Sequence, residues 1–240
     1  MKVDIFIPCY IDQVCPETGF NMIKVLEKVG VKVQYNKNQT CCGKISFDDG
    51  YWDHAKSIGE KFIKDFFGCE LIVAPSASCV TMVRKYYHEL FYNAALHNEY
   101  RQLRKNIFEF SDFLVNRLNI KDVGATFNHK ILFVDSCVAL AEYGIKEEPR
   151  MLLKNVRGLQ IVETENQPLN CNIEGFAINR FETIYNEMAA EIIQQAIDLG
   201  AEFIVSTDAN CLLFLQGYIN RESVPVKTAH LADILAAGYE

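Results

Sequence analysis

Short apolar runs alternate along this chain with longer segments whose apolar residues recur at helical spacing. The short runs predict strands at Val3–Ile7, Val31–Tyr35, Leu71–Ala74, Ile131–Asp135, Leu159–Val162, Phe203–Ser206 and Val224–Lys227. The longer segments predict helices at Glu17–Val29, Tyr51–Phe67, Cys79–Phe91 and Asn179–Leu199, with one more near the C-terminal end. Strands that alternate with helices are typical of parallel sheets covered by helices on both faces. The pattern therefore predicts the α/β fold class.

The second half of the chain repeats the first half in a weaker form. Glu70–Cys79 reads ELIVAPSASC and Glu202–Cys211 reads EFIVSTDANC, with five of ten positions identical. The cysteines keep the same order in both halves, namely Cys9, Cys41 and Cys79, then Cys137, Cys171 and Cys211. Ordered echoes of this kind indicate an internal duplication. We expect two similar halves, residues 1–125 and 126–240, each a parallel sheet flanked by helices.

The cysteines fall where open α/β sheets bind their ligands. Cys9 and Cys79 each follow a predicted strand, and the carboxyl ends of parallel strands form the ligand-binding edge of such sheets. Cys41 and Cys42 lie in the loop after the second predicted strand, where Gly43 allows the chain to turn. Four thiols can therefore converge in the first half. Three can converge in the second half, namely Cys137, Cys171 and Cys211.

Four converging thiolates form a site for a soft metal, either zinc or an iron–sulfur cluster. Structural zinc sites use closely spaced cysteine pairs with two to four residues between them, and this sequence has none. The adjacent Cys41 and Cys42 fit better on two iron atoms of a cluster than on one tetrahedral ion. Cys15 and Cys69 have no counterpart in the repeat, so we expect both to be buried thiols of the interior.

Composition and charge narrow the choice of partner. The 240 residues carry 24 Lys and Arg against 31 Asp and Glu, a formal net charge of −7, without a basic cluster. This balance argues against nucleic acid as the main partner. No apolar stretch approaches the ~18 residues of a membrane span, and the N-terminal residues do not resemble a secretory signal. We therefore expect a cytoplasmic protein whose cysteines stay reduced.

The cysteine pattern as a whole resembles the cysteine-rich CCG-domain family. The pattern consists of Cys9, then Cys41-Cys42-Gly43, then Cys79, followed by a weaker copy. The family includes the cysteine-rich subunit of heterodisulfide reductase and the iron–sulfur subunit of glycolate oxidase, and the chain looks most like its lactate utilization protein A group. The segments DDGYWDHA, KDVGAT and GAEFIVSTDANCL extend the resemblance over essentially the whole chain.

The resemblance implies a cytoplasmic iron–sulfur subunit that transfers electrons. By the same resemblance the cluster is of the 4Fe-4S type, and two partner subunits join in oxidising L-lactate to pyruvate. The cluster ligands implied by the motif are Cys9, Cys41, Cys42 and Cys79. The chain itself is then a non-catalytic or electron-transfer component of an L-lactate oxidoreductase complex.

The second copy departs from the family pattern at two places. The loop expected to carry a second CCG motif reads Cys171-Asn-Ile-Glu-Gly-Phe, and an expected Cys-His pair reads Cys137-Val138. The second set, Cys137, Cys171 and Cys211, is therefore expected to be degenerate. It retains three thiols, which either hold a cluster with one open position or hold nothing.

Two other functions are compatible with the same residues. Cys41 and Cys42, with Cys9 or Cys79, could carry out thiol–disulfide exchange without a metal. Alternatively, the chain is a zinc-binding or metal-free interaction module that descends from a redox subunit.

Overall fold

The structure is a computed structural model that describes residues 1–92, 94–163 and 182–239, together with the backbone of 170–171. The strands of the first half are β1 Lys2–Ile5, β2 Lys32–Tyr35, β3 Ile72–Ala74 and β4 Ile107–Glu109. Its helices are α1 Cys9–Val14, α2 Pro16–Lys28, α3 Lys44–Asp48, α4 Trp52–Asp65, α5 Ala77–Thr81, α6 Tyr87–Phe91, α7 His97–Asn106 and α8 Phe110–Asp112. π-Helical segments continue α5 and α8 over Met82–Tyr86 and Phe113–Arg117.

The second half follows a similar order of elements. Its strands are β5 Lys130–Phe133, β6 Asp135–Ser136, β7 Gln160–Val162, β8 Asn170–Cys171, β9 Phe203–Ser206 and β10 Lys227–His230. Its described helices are α9 Glu147–Leu153, α10 Glu182–Asp198, α11 Ala209–Glu222 and α12 Leu231–Leu235, with a π-helical segment at Val138–Tyr143. None of the helices in the described ranges is long and apolar enough to cross a membrane.

Each half builds one four-stranded parallel sheet, and the two sheets have the same strand order. The first sheet runs β2-β1-β3-β4, and the second runs β7-β5-β9-β10. In both sheets the strand that comes first in the chain lies between the second and third strands of that sheet, and the last strand lies at the edge. β6 and β8 pair separately as a short parallel ladder. The shared order confirms the predicted α/β fold with two similar halves.

A single hydrophobic cluster joins the two sheets. It contains Val3 and Ile5 of β1, Ile131 and Phe133 of β5, and Leu231 of α12. Burying apolar area between the sheets stabilises both at once, at roughly 25 cal/mol per Å². The two halves are therefore packed as one body. The boundary between residues 125 and 126 stays a prediction.

Two strands end or begin at different residues from those predicted. β1 ends at Ile5 because the Ile7 N–H donates to Gln39 Oε1, at 2.7 Å, and so leaves the strand ladder. β10 begins at Lys227, which pairs with Phe203 of β9. The apolar run that begins at Val224 therefore leads into this strand instead of forming it. β4 was not predicted, because a three-residue strand carries no readable period and depends on pairing with β3.

Local chemistry explains how the helices of the first half pack. α2 begins at Pro16, where a missing N–H costs nothing, and it buries Met22 and Leu26. α4 passes α6 at Gly59, where an added Cβ would lie 2.9 Å from the ring of Phe91. Glycine at this position lets the two helices approach closely beside the loop that carries Cys41 and Cys42.

Asp233 ties the last helix of the second half to α2 of the first half. Its Oδ2 accepts hydrogen bonds from Thr18 Oγ1, at 3.1 Å, and from the His230 N–H, at 3.0 Å. Its Oδ1 accepts from Asn21 Nδ2, at 2.9 Å. The carboxylate thus caps α12 and bonds across the junction of the halves.

We expect Asp233→Ala to lower the free energy of unfolding by about 2–3 kcal/mol, because it removes a cap and leaves buried donors unsatisfied. Urea denaturation followed by circular dichroism measures the change. Asp198→Ala, at the exposed end of α10, is the control and should cost less than about 0.5 kcal/mol. Equal losses in the two variants would contradict the assigned role of Asp233.

Candidate functional site

The candidate site lies at the carboxyl edge of the first sheet. β1 is flanked by β2 on one side and β3 on the other, so the connections change direction between β1 and β3. Crevices form at such switch points because the loops after the two strands diverge. Cys9 opens α1 after β1, and Cys79 lies in α5 after β3. The topology therefore places these two cysteines on either side of the crevice.

The loop between β2 and α3 brings Cys41 and Cys42 to the same edge. Gly43 has φ +83, a left-handed conformation, and an added Cβ would lie 3.2 Å from the carbonyl oxygen of Ala55. The buried Tyr87 hydroxyl donates to the Cys42 carbonyl, at 2.9 Å, and so holds the loop against α6. The turn requires glycine, and its position is fixed by a hydrogen bond from the core.

The four first-half thiols form one continuous chain of contacts. Cys9 Sγ donates to Cys41 Sγ at 3.6 Å. The Cys42 thiol hydrogen-bonds with both Cys41 and Cys79. Cys42 and Cys79 are buried, whereas Cys9 and Cys41 are partly exposed. The four cysteines that the sequence singled out are thus brought together, and their role as ligands stays a prediction.

The thiols contact one another in sequence, and Cys79 also acts electrostatically on Cys9. Within the described ranges, no three or more His, Cys, Asp or Glu side chains are arranged to hold one metal ion. Their contacts run from Cys9 through Cys41 and Cys42 to Cys79.

Cys41 carries the negative charge of this chain of thiols. Hydrogen bonds from the thiols of Cys42 and Cys9 lower the pKa of Cys41 to about 3, and the Gly43 N–H adds a further donor at 3.3 Å. The same bonds raise the pKa of Cys9 and of Cys42, because each donates its proton to the Cys41 sulfur. Neighbouring donors therefore favour the thiolate form at Cys41 and the protonated form at Cys9 and Cys42.

The first-half site is joined to the second half by a buried contact. Asp208 Oδ2 accepts from the Ser78 N–H, at 3.2 Å, and from the Ser78 hydroxyl. Ser78 is the neighbour of Cys79, and Asp208 is the N-cap of α11. Ser76 caps α5 by accepting from the Cys79 N–H at 3.3 Å. The position of Cys79 is thus set from both halves.

The second cysteine set is only partly described. Cys137 is partly exposed and precedes the π-helical segment, and Cys211 is buried in α11. Cys211 is disulfide-bonded, so the expectation that the cysteines stay reduced is wrong for this residue. The backbone of Cys171 pairs in register with Ser136 in the β6–β8 ladder. The side chain of Cys171 and the loop that follows it lie outside the described residues. The role of this set stays a prediction.

The expectation that Cys15 and Cys69 are buried was wrong, because both thiols are partly exposed. Cys15 lies at the junction of α1 and α2, and Cys69 lies in the turn before β3. Burial and the nearby Asp4 carboxylate raise the pKa of Cys69 to about 12. Neither residue joins the chain of thiols, so both serve as internal controls for it.

Sequence reasoning missed Glu109, a fully buried carboxyl group at the carboxyl end of β4. One oxygen accepts from the Ser111 N–H, at 2.7 Å, and from the Asp112 N–H, at 3.1 Å. The other oxygen, Oε1, has no hydrogen-bond partner among the described residues. Burial raises the pKa of Glu109 to about 7. The only sequence signal was an acidic residue directly before a short helix.

Both halves of the chain match one known protein family. A sequence model of the cysteine-rich CCG domain matches residues 3–84 and again residues 131–216. The chain belongs to the cysteine-rich CCG-domain family. Each matched segment contains one set of three or four cysteines from one half of the chain. The family resemblance and the duplication predicted from the sequence are confirmed.

Relatives of similar length support the same assignment. The chain is 32% identical over 235 residues to lactate utilization protein A of Bacillus subtilis (strain 168), covering 98% of this chain and 99% of that protein. It is 34% identical over 237 residues to lactate utilization protein A 1 of Bacillus mycoides (strain KBAB4), covering 98% and 96%. The resemblance to the lactate utilization protein A group is therefore confirmed over nearly the full length.

A solved structure shows the fold at low sequence identity. A hypothetical protein from Helicobacter pylori superimposes with a TM-score of 0.63 at 13% identity, covering all of this chain. The match covers 49% of that protein, so this CCG chain spans about half of its length. The likeness shows the fold alone.

The pKa of Cys41 gives a direct test of the thiol chain. In reduced, metal-free protein at about pH 5, we expect iodoacetamide to label Cys41 well before Cys69, because only Cys41 is ionised there. Both thiols are partly exposed, so the comparison is matched. Peptide mass spectrometry over time measures the two rates. Equal labelling rates for Cys41 and Cys69 would contradict the assigned charge. Fast labelling of another cysteine in the Cys41→Ser variant would contradict it as well.

Glu109 should make stability depend on pH. The pKa of Glu109 in the folded protein, about 7, lies above its ordinary value of 4.5. The contribution of this group to the free energy of unfolding is therefore fully present below pH 4.5 and is lost as pH rises through 7. The expected loss is about 3 kcal/mol in the free energy of unfolding. Glu109→Gln should remove this dependence, whereas Glu89→Gln, at an exposed position, should retain it. Urea titrations between about pH 4 and pH 8 would refute the effect if all three curves coincide.

Proposed function

We propose that this chain is the iron–sulfur electron-transfer subunit of a lactate oxidation system, with a cluster held by Cys9, Cys41, Cys42 and Cys79. The observation that carries the proposal is the continuous contact of these four thiols at the switch point of the first sheet. The substrate comes from the relatives, which are named for lactate utilization. The chain acts with further subunits that bind and oxidise the 2-hydroxy acid.

The chemistry of the donor atoms fits an iron–sulfur cluster. All four donors are sulfur, and thiolates are the ligands that such clusters use. Four thiols in mutual contact offer ligands for more than one metal atom. The adjacent Cys41 and Cys42 can then serve different iron atoms.

The cluster would supply reversible one-electron chemistry, and the chain's own residues set the conditions for it. Cys41 is already ionised, while Cys9 and Cys42 hold protons that must leave before the sulfur atoms bind metal. The Gly43 N–H points at Cys41 Sγ, and such hydrogen bonds to sulfur raise a reduction potential. Tyr87 fixes the loop from beneath and keeps water from its buried face.

The proposed setting is the cytoplasm. This setting is proposed from the family resemblance and not from the state of the thiols, because the first-half cysteines are free whereas Cys211 is disulfide-bonded. The second set, Cys137, Cys171 and Cys211, is proposed as a degenerate copy that does not complete a second cluster.

Metal analysis tests the proposal directly. Protein purified without oxygen should contain about four iron and four sulfide per chain, with a visible chromophore. Cys42→Ser should lose most of the iron and the colour, whereas Cys69→Ser should keep both. About eight iron per chain would mean that the second set also binds. Zinc without iron, or no metal after anaerobic reconstitution, would refute the cluster.

One observation favours a second candidate function, thiol–disulfide exchange. The sulfur atoms of Cys9 and Cys41 lie 3.6 Å apart, and the low pKa of Cys41 favours its thiolate form. The Cys41 thiolate would attack a substrate disulfide and release one substrate thiolate. Cys9, after losing its proton, would then displace the second substrate thiolate and close a Cys9–Cys41 disulfide. With a chromogenic disulfide reagent, metal-free protein should release two thiolates at this pair, and Cys9→Ser should release only one because it stops at the mixed disulfide. Release of a single thiolate by both proteins would contradict this function.

A further inference from the structure

Three exposed aromatic side chains lie in the segments that follow the cysteines of the thiol site. Tyr51 is 66% exposed, Trp52 is 59% exposed and Tyr10 is 38% exposed, and we call these three residues the aromatic face. Tyr10 follows Cys9, and burial, Cys9, Cys41 and Asp49 raise the pKa of its phenol. The Tyr10 ring therefore lies near Asp49, two residues before Tyr51. Grouped exposed aromatic residues are typical of protein interfaces.

The aromatic face is held rigidly from below. The Trp52 ring stacks on Phe47 with centroids 5.8 Å apart and planes 10° apart. Phe47 in turn contacts the ring of Tyr86 at 5.1 Å. Phe47 and Tyr86 pack against the hydrophobic cluster that contains Cys42 and Cys79. A pre-ordered surface loses little conformational freedom when a partner binds.

The charge around the aromatic face is negative. Residues 44–53 contain three aspartates and one lysine. Beyond them, the exposed Asp12 two residues after Tyr10 offsets Lys56 in the next turn of α4. The lysine within residues 44–53, Lys44, is buried with its ammonium 2.9 Å from Asp48, so its charge is directed inward. Asp53 is exposed in the first turn of α4, next to Trp52.

This charge decides which occupant fits. A second copy of this chain docked face to face would oppose aspartate to aspartate, which is unfavourable in a two-fold interface. Anionic membranes and nucleic acid would be repelled in the same way. A protein surface with an apolar centre and a rim of lysine and arginine complements both the rings and the carboxylates.

We propose that the aromatic face is the docking surface for such a basic-rimmed partner protein. Docking there places the partner beside Cys9 and Cys41, the two partly exposed members of the thiol chain. This docking surface deepens the proposed function. It rests on that function in one respect only, namely that docking serves electron exchange between the two proteins. The binding surface itself does not require a metal.

The test uses oxidised cytochrome c as the probe, because its haem edge is ringed by lysines. Isothermal titration calorimetry at low salt should give micromolar binding that weakens at higher salt. The double variant Tyr51→Ala/Trp52→Ala should bind about tenfold more weakly, and Asp53→Lys about fivefold more weakly. Two control variants match these changes at other exposed positions. Phe67→Ala removes an aromatic ring beyond the opposite end of α4, and Glu187→Lys reverses a charge in α10. The affinity of each control should stay within about twofold of wild type.

Three outcomes would overturn the proposal. One is no binding of the probe at low salt. The second is an equal effect of Glu187→Lys and Asp53→Lys, which would mean that only the net charge matters. The third is a dimer in sedimentation that the Tyr51→Ala/Trp52→Ala variant abolishes, which would assign the face to a second copy. Iron content of the same samples reports separately on the proposed function.

Discussion

The apolar packing between the two sheets is the constraint on which the site depends. Val3 and Ile5 of β1 share one cluster with Ile131 and Phe133 of β5, so neither sheet has a core of its own on that side. This packing fixes the carboxyl edges of both sheets relative to each other. The loops after β3 and β9 then meet closely enough for Asp208 to accept from Ser78. The thiols are placed by packing first and by hydrogen bonds second.

Around the thiols the main physical problem is the burial of negative charge. Four thiolates in contact would repel one another strongly in a low-dielectric interior. The chain lowers the pKa of Cys41, whose sulfur is surrounded by donors from Cys42, Cys9 and Gly43, and raises the pKa of Cys9 and Cys42. A bound cation or cluster would supply the positive charge that lets the remaining protons leave. The metal centre proposed above would meet this requirement.

Much of this architecture could be predicted from the pattern of residues. The period of apolar positions indicated both parallel sheets, and the spacing of Cys9, Cys41, Cys42 and Cys79 after strands indicated the convergence of thiols. β4 could not be predicted, because its three residues become a strand only by pairing with β3. Side-chain environments were also beyond the reach of sequence reasoning. The lowered pKa of Cys41 depends on the orientation of the adjacent Cys42 thiol and on the distant Cys9, and the raised pKa of Glu109 depends on burial; the sequence pattern encodes none of these.

The contact between Ser78 and Asp208 bears on how the duplicated gene could evolve. Ser76 and Asp208 occupy equivalent positions in the two repeats, and each caps the helix that carries a cysteine. Asp208 has taken a second task, since it also binds the loop of the other copy. A single copy, as the ancestor was before duplication, would lack this acceptor for Ser78. At this contact the two copies have become specialised for each other.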